Sequence, residues 1–293
     1  MTGLPGLVGG GQLGDIQHLR PLDAPALFRR RAGRFRDLAA GHPMGDALEL
    51  FGRVAEAQAA ALGRLKPSLN GRDLPASLPL DASLPPGAEW RQALRLVTGA
   101  LGGAPMPEAA REALARLGRL GDAELDRLGA RIAAGDFGGI DLAAAPFAAA
   151  GLQAHYAALA ALIPPEAVER SPSGCPLCGS PPVAGLVLGD DKLRYLACSL
   201  CSSQWHQTRL KCSHCGATKG ISYFSIEGDP GEVKAEACDA CKGYVKLFYL
   251  EKRPAADPVA DDLATLPLDL LVSEQGFGRI GPNLFLLPGA ESV

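Results

Sequence analysis

Outside residues 175–241 this chain contains no cysteine. A disulfide framework needs an oxidising compartment, and nothing in the sequence points to one. Long apolar runs are also missing. No stretch reaches the roughly 18 residues needed to span a bilayer; Gln, His, Pro or Arg interrupts segments such as 55–65 and 143–162. The opening MTGLPGLVGGGQLGDIQ has neither a basic n-region nor a long apolar core, so it is not expected to be a secretory signal. Aromatic residues make up only 5%, which leaves few platforms for stacking bases. The net charge of −3 exerts no long-range pull on nucleic acid. A soluble, cytoplasmic protein is the expectation.

What is present is concentrated. All 8 cysteines fall into CxxC pairs: Cys175/Cys178, Cys198/Cys201, Cys212/Cys215 and Cys238/Cys241. Two intervening residues let both thiolates of a pair turn toward one ion, and two such knuckles complete a tetrahedral four-sulfur set. The intervals decide the partners. The first and second pairs, like the third and fourth, stand far enough apart for a hairpin to return to its own start. The gap between the second and third pairs is shorter. Two consecutive ribbons follow, with Cys175, Cys178, Cys198 and Cys201 in one site and Cys212, Cys215, Cys238 and Cys241 in the other.

The ribbons read as copies of one unit. CPLCGSPPVAGLVLGDDKLRYLACSLC and CSHCGATKGISYFSIEGDPGEVKAEACDAC both open with CxxCG and run through a strand-like stretch. Each turns at a Gly-Asp, Gly189-Asp190 or Gly228-Asp229, and returns to a closing CxxC. An aromatic follows in both, Trp205 and Tyr244. Glycine after the opening pair, at Gly179 and Gly216, suits the positive φ a knuckle needs past its second ligand. A thioredoxin-like CxxC normally occurs once, at the start of a helix, so metal is the better reading. Four cysteines leave no open coordination position, which points to a structural ion. Zn(II) is the commonest occupant, and iron in a rubredoxin-like site uses the same ligands.

The fold class expected is α+β: an N-terminal all-α domain followed by two tandem rubredoxin-like, or zinc-ribbon-like, β modules. Hydrophobic content of 47% is ample for the core. Residues 1–20 are Gly-rich and expected to be mobile. Residues 21–170 form the helical domain, with apolar residues three and four apart at Leu27, Phe28, Phe35 and Leu38, then Leu48, Phe51, Val54, Leu62 and Leu65. Helices are expected at 90–101, 107–117, 122–133 and 144–162, after a proline-rich connection over 67–86. The first ribbon spans 171–210 and the second 211–253. The C-terminal segment, 254–293, holds a helix at 261–272 interrupted by Pro267 and is expected to pack on the ribbons.

The order CPxCG…RYLxCSLCxxxWHxxRxKCxxC, followed by CDAC and the terminal DDLATLPLDLLVSEQGFGRIGPNLFLL, resembles the formate dehydrogenase accessory proteins of the FdhE family. Arg194-Tyr195-Leu196, Trp205-His206, Arg209 and the C-terminal segment carry the likeness, which covers nearly the whole chain. The resemblance implies a non-catalytic cytoplasmic assembly factor, or chaperone, needed for active respiratory formate dehydrogenase. It implies contact with the catalytic, molybdenum-containing subunit before export, and CxxC pairs that hold iron. Iron is therefore preferred to zinc, which leaves a one-electron redox role open.

Other residues carry two readings each. His206 and His214 lie near the sites but stand outside full four-cysteine sets, and Trp205 reads as a hydrophobic cover. Arg194 and Arg209 either offset thiolate charge or stand on the surface. Arg29-Arg30-Arg31, with Arg34 and Arg36, is an exposed helix face or a contact for an acidic partner. Glu227, Asp229, Glu232, Asp257, Asp261 and Asp262 are candidates for binding a client's twin-arginine signal. The alternative function is a nucleic-acid-binding zinc ribbon. Between 171 and 253, Lys and Arg barely outnumber Asp and Glu before thiolate charge is added, which removes the basic stripe such a role requires.

Overall fold

The alanine-rich stretch before Pro164 forms a helix, α6 (Ala145–Ala160), whose residues are all buried except Pro146. Small side chains make that burial possible, because neighbouring helices can approach its backbone closely. A Cβ on Gly151 would lie 2.8 Å from Leu94 Cα, so this position admits only glycine without a shift. Gly129 does the same under the ring of Trp90, where a Cβ would stand 2.7 Å from the indole. Around α6 pack α2 (Gly45–Leu62), α3 (Glu89–Leu101) and α5 (Asp122–Ala134), with α1 (Ala24–Ala39) against α2 and α4 (Glu108–Gly118) preceding α5. Local signals set the ends. Asp23 accepts a 2.9 Å bond from Ala26 N–H at the start of α1, and Gly135 ends α5 in a left-handed conformation.

The computed structural model describes residues 16–69, 75–84, 86–171, 173–189 and 192–287. Residues 1–15 of the segment expected to be mobile, and Asp190 of the first hairpin turn, lie outside the described residues. Residues 18–20 are ordered against the sheet.

The two cysteine-bearing units share one seven-stranded sheet. The first supplies β1 (Pro182–Leu188), β2 (Leu193–Cys198) and β3 (Gln204–His206); the second supplies β4 (Ile221–Phe224), β5 (Val233–Cys238) and β6 (Gly243–Tyr249). Pairing inside each unit is antiparallel, and β1 joins β6 in parallel through Gly185↔Leu247, Leu186↔Phe248 and Val187↔Tyr249. The strand order is β3-β2-β1-β6-β5-β4. The units thus stack head to tail, the first strand of one copy beside the third strand of the next.

The outer edge of β3 is covered by the chain's own N-terminal segment. His206 N–H donates to His18 O at 2.8 Å, Arg20 N–H donates to Gln204 O at 2.9 Å, and Leu19 is buried opposite Trp205. Covering an edge removes a template for unwanted pairing. Across the central strands, Arg194 of β2 meets Glu236 of β5 in a fully buried ion pair. Arg194 also donates to the carbonyls of Gln207, Thr208 and Lys211, and Tyr223 hydroxyl donates to Glu236 at 2.8 Å. Arg194 therefore clamps the two units to each other and does not face a cysteine cluster.

Beyond β6, Pro267 divides the expected helix into α7 (Ala260–Leu263) and α8 (Leu266–Glu274), taking a first-turn position in α8 where its missing N–H costs nothing. The chain then adds β7 (Gly278–Arg279) parallel to β6 and sends Phe285 against Phe35 and Phe51 of the helical layer. The tail thus packs on both layers. Its acidic residues meet the basic run of α1. Arg31 pairs with Asp257 at 3.0 Å, and Arg34 grips Asp261 with two bonds of 2.9 and 2.6 Å. Arg29, Arg30 and Arg36 remain exposed. Asp262 and Asp269 bind Lys246 and Arg279, with Asp262 and Lys246 fully buried. Asp261 and Asp262 are thus internal struts, unavailable to a signal peptide.

Glu236→Ala leaves the Arg194 guanidinium buried without its counter-charge, and the fold should lose about 3–5 kcal/mol in urea unfolding. The exposed pair Arg36–Glu56 gives the contrast: Glu56→Ala should change stability by less than about 1 kcal/mol.

Candidate metal centres

A knuckle works by turning consecutive N–H groups and two sulfurs toward one point. Both opening knuckles use the same hydrogen bonds. Cys175 N–H donates to Ser180 O and Gly179 N–H to Cys175 O; Cys212 N–H donates to Ala217 O and Gly216 N–H to Cys212 O. Gly179 and Gly216 have φ of 79° and 76°, as the sequence leads one to expect. The closing knuckles make the same left-handed step without glycine, at Ser202 (φ 61°) and Lys242 (φ 56°). Sequence reasoning missed these two. The signal was positional, since each directly follows the second cysteine of its pair.

Strand register delivers the closing pairs. Cys198 stands opposite Pro182 at the root of the first hairpin, and Cys238 stands opposite Ile221 at the root of the second. The sulfurs then converge in two sets, Cys175, Cys178, Cys198 and Cys201, and Cys212, Cys215, Cys238 and Cys241, each within 4.8 Å throughout. Sγ–Sγ separations are 3.5 Å for Cys175–Cys201 and 3.4 Å for Cys178–Cys198. Cys212–Cys241 and Cys215–Cys238 both stand at 3.7 Å. A tetrahedron with metal–sulfur bonds of about 2.3 Å has edges of about 3.8 Å, so both sets fit a tetrahedral ion and neither fits a disulfide. Either set could hold Zn(II) or iron, since the donors are the same.

Backbone donors already favour thiolate. Leu200 and Cys201 N–H point at Cys198 Sγ, and His214 N–H points at Cys212 Sγ, all at 3.4 Å. In each set the second cysteine of the opening knuckle is held below the usual thiol range. Burial pushes Cys178 up, but the neighbouring sulfurs of Cys175, Cys198 and Cys201 prevail and hold it well below the usual thiol range. The Ala217 N–H lowers Cys215 to about 7.

The sets differ in surroundings. Every cysteine of the first is buried, whereas Cys215 is exposed and Cys241 half-exposed. The helical layer makes the difference. Leu80 and Ala82 N–H donate to the carbonyls of Leu177 and Cys178 at 2.7 and 3.0 Å, so the proline-rich connection lies across the first knuckle. From α2, Gln58 donates to Gln153 of α6 at 3.0 Å, and Gln153 donates to Ser199 O at 2.9 Å. A buried amide relay therefore ties the helices to the second knuckle of the first set. The second set lies at the far end of the sheet, beside the edge strand β4.

Neither histidine joins a cluster. His214 is exposed, and His206 rests edge-on against Tyr195 at 5.6 Å. Trp205 is buried opposite Leu19 of the N-terminal segment. Arg209 is exposed.

Comparison with known proteins follows this order of parts. Three family models match in succession: FdhE, N-terminal, over residues 16–173; FdhE, central domain, over 174–209; and FdhE, C-terminal domain, over 210–286. The central match holds the first cysteine set and the C-terminal match the second. The Protein FdhE homolog of Cronobacter sakazakii is 39% identical, covering 90% of this chain and 89% of its own. Protein FdhE of Salmonella paratyphi B is 38% identical, covering 92% of each. The crystal structure of the FdhE protein from Pseudomonas aeruginosa superposes with a TM-score of 0.85 at 36% identity, over 93% of this chain and 100% of that one.

The difference in burial predicts a difference in exchange. Protein loaded with an ion in each set should release metal to a competing chelator in two phases, read by the chelator's absorbance. Cys215→Ser should remove the fast phase alone. Cys178→Ser should remove the slow phase and also lower thermal stability, because the helical layer rests on that knuckle. Equal release from both sets would refute the asymmetry.

Proposed function

Because the chain belongs to the FdhE family, we propose that it is a non-catalytic accessory protein in the maturation of respiratory formate dehydrogenase. It binds the enzyme's catalytic subunit in the cytoplasm, before export. The observation that carries this reading is the match of all three family domains, in order, over residues 16–286. Cys175, Cys178, Cys198 and Cys201 ligate one metal ion, and Cys212, Cys215, Cys238 and Cys241 a second. The ion is iron, with zinc the alternative. Its working units are the helical domain 21–170, the ribbons 171–210 and 211–253, and the C-terminal segment 254–293.

The donor sets support a non-catalytic role, because four thiolates fill a tetrahedral ion and leave no position for substrate. Iron held this way can pass one electron, and zinc cannot. Any electron carried would enter or leave through the second set, whose Cys215 reaches solvent.

Affinity capture under anaerobic conditions, with metal-loaded protein as bait, should retain the catalytic subunit of formate dehydrogenase. Bait that is folded and metal-loaded yet retains no such subunit overturns the reading. Metal analysis with a visible spectrum separates the two ions: iron gives a coloured protein with sulfur-to-metal charge-transfer bands, and zinc a colourless one.

A further inference from the structure

Where residues 18–20 lie along β3, the segment after Val168 and the loop leaving β3 close around a cavity of about 320 Å³. Its wall carries His18, Arg170, His206 and Lys211, and no carboxylate is among the lining residues. Thr208 and Ser171 add polar groups, and Trp205 forms part of the apolar floor. The volume lies in the range of small-molecule sites.

Arg170 and Lys211 take part in no ion pair among the described residues, although most arginines of this chain are paired with an acid. His18 is held in place by its Nε2, which donates to Val168 O at 2.7 Å. That leaves Nδ1 as its second polar atom. The wall is also braced from behind. Arg194 donates to the carbonyls of Thr208 and Lys211, which fixes the loop, while its own charge is paired with Glu236. Burial, then the charges of Arg170 and Arg194, hold the pKa of His206 below the usual histidine range.

We propose that this cavity binds a small dianion whose oxygens accept hydrogen bonds from Arg170, Lys211 and His206. Phosphate groups and dicarboxylates share that chemistry. Charged donors on a braced loop suit both, and charge-assisted bonds are the strong ones in such a site. The pocket borders Pro176, inside the opening knuckle of the first cysteine set, and its floor strand carries the N-terminal segment. An occupant would therefore hold together the N-terminal segment, the inter-domain connection and the first ribbon. The inference stands apart from the proposed function, since it rests on the cavity alone.

The test is a titration of the full chain at low ionic strength with inorganic phosphate, pyrophosphate and succinate, chloride serving as the control. Two-dimensional NMR follows the indole of Trp205 and the ring of His206. Trp90, fully buried among the helices, is the internal reference. The expected result is a saturable shift of Trp205 and His206, with Trp90 unmoved and a midpoint on the order of a millimolar or below. Preference for phosphate or pyrophosphate identifies a phosphorylated ligand, and preference for succinate a dicarboxylate; either upholds the site. Arg170 is exposed, so Arg170→Glu should leave the fold intact and weaken binding about ten- to a hundred-fold. Arg170→Lys should restore most of the affinity. No saturable shift up to about 10 mM of any dianion overturns the proposal. Binding that Arg170→Glu leaves unchanged also overturns it.

Discussion

In each unit four sulfurs stand within 4.8 Å of one another because a hairpin brings its far end back to its own start. Much of the C-terminal half follows from that closure. The strands must run antiparallel within each unit, and the closing cysteine must sit at the hairpin root, as Cys198 and Cys238 do. Each knuckle must also step through a left-handed residue just past its second sulfur. Glycine makes that step without strain, while Ser202 and Lys242 carry a cost of about 1–2 kcal/mol each. The surrounding structure holds them there. Ser202 is buried against Arg31, and Lys242 bonds Asp239.

Two copies of one unit could have remained separate, and the head-to-tail pairing of β1 with β6 explains why they did not. A lone hairpin is marginal in water, whereas a longer twisted sheet can be covered on its faces. The stacking leaves unlike ends. One end lies against the helices, where the proline-rich connection and the Gln58–Gln153–Ser199 relay seal the first cysteine set. The other ends in β4, and the second set stays close to solvent. Identical ligands thus sit in unlike environments, which separates a shielded, fold-bearing centre from an accessible one. Local stability should follow the same gradient, since the least buried contacts open first.

Much of this was legible in the residues. The CxxC intervals set the partition of the sulfurs, and the helices at 89–101, 108–118, 122–134 and 145–160 fall within a few residues of their expected positions. Such signals are local: a period, a cap, a proline. What escaped was long-range. No periodicity reports that β1 pairs with β6, nor that residues 18–20 edge β3. Charge was the most misleading signal. The run Arg29-Arg30-Arg31 and the acids near 257–262 both read as surface patches, because the sequence does not show that they face each other. Arg194 read as a partner for thiolate or as a surface residue, yet it is buried against Glu236, drawn across the sheet by a pairing invisible in the string.

That facing arrangement changes how the ends of the protein should be understood. A buried ion pair gains little net stability, because removing both charges from water offsets most of their attraction. Losing one partner is different, since the other is left dry and uncompensated. Arg31–Asp257, Arg34–Asp261 and the Lys246–Asp262–Arg279 cluster therefore penalise wrong dockings of the C-terminal segment more than they reward the right one. Phe285 against Phe35 and Phe51 supplies the apolar attraction, and the charges supply the register. The segment that closes the sheet is thereby locked to the first helix, and the metal-bearing half cannot be displaced from the helical half without exposing several charges at once. A client protein would meet these two halves as one fixed body, with the second cysteine set on its outer edge.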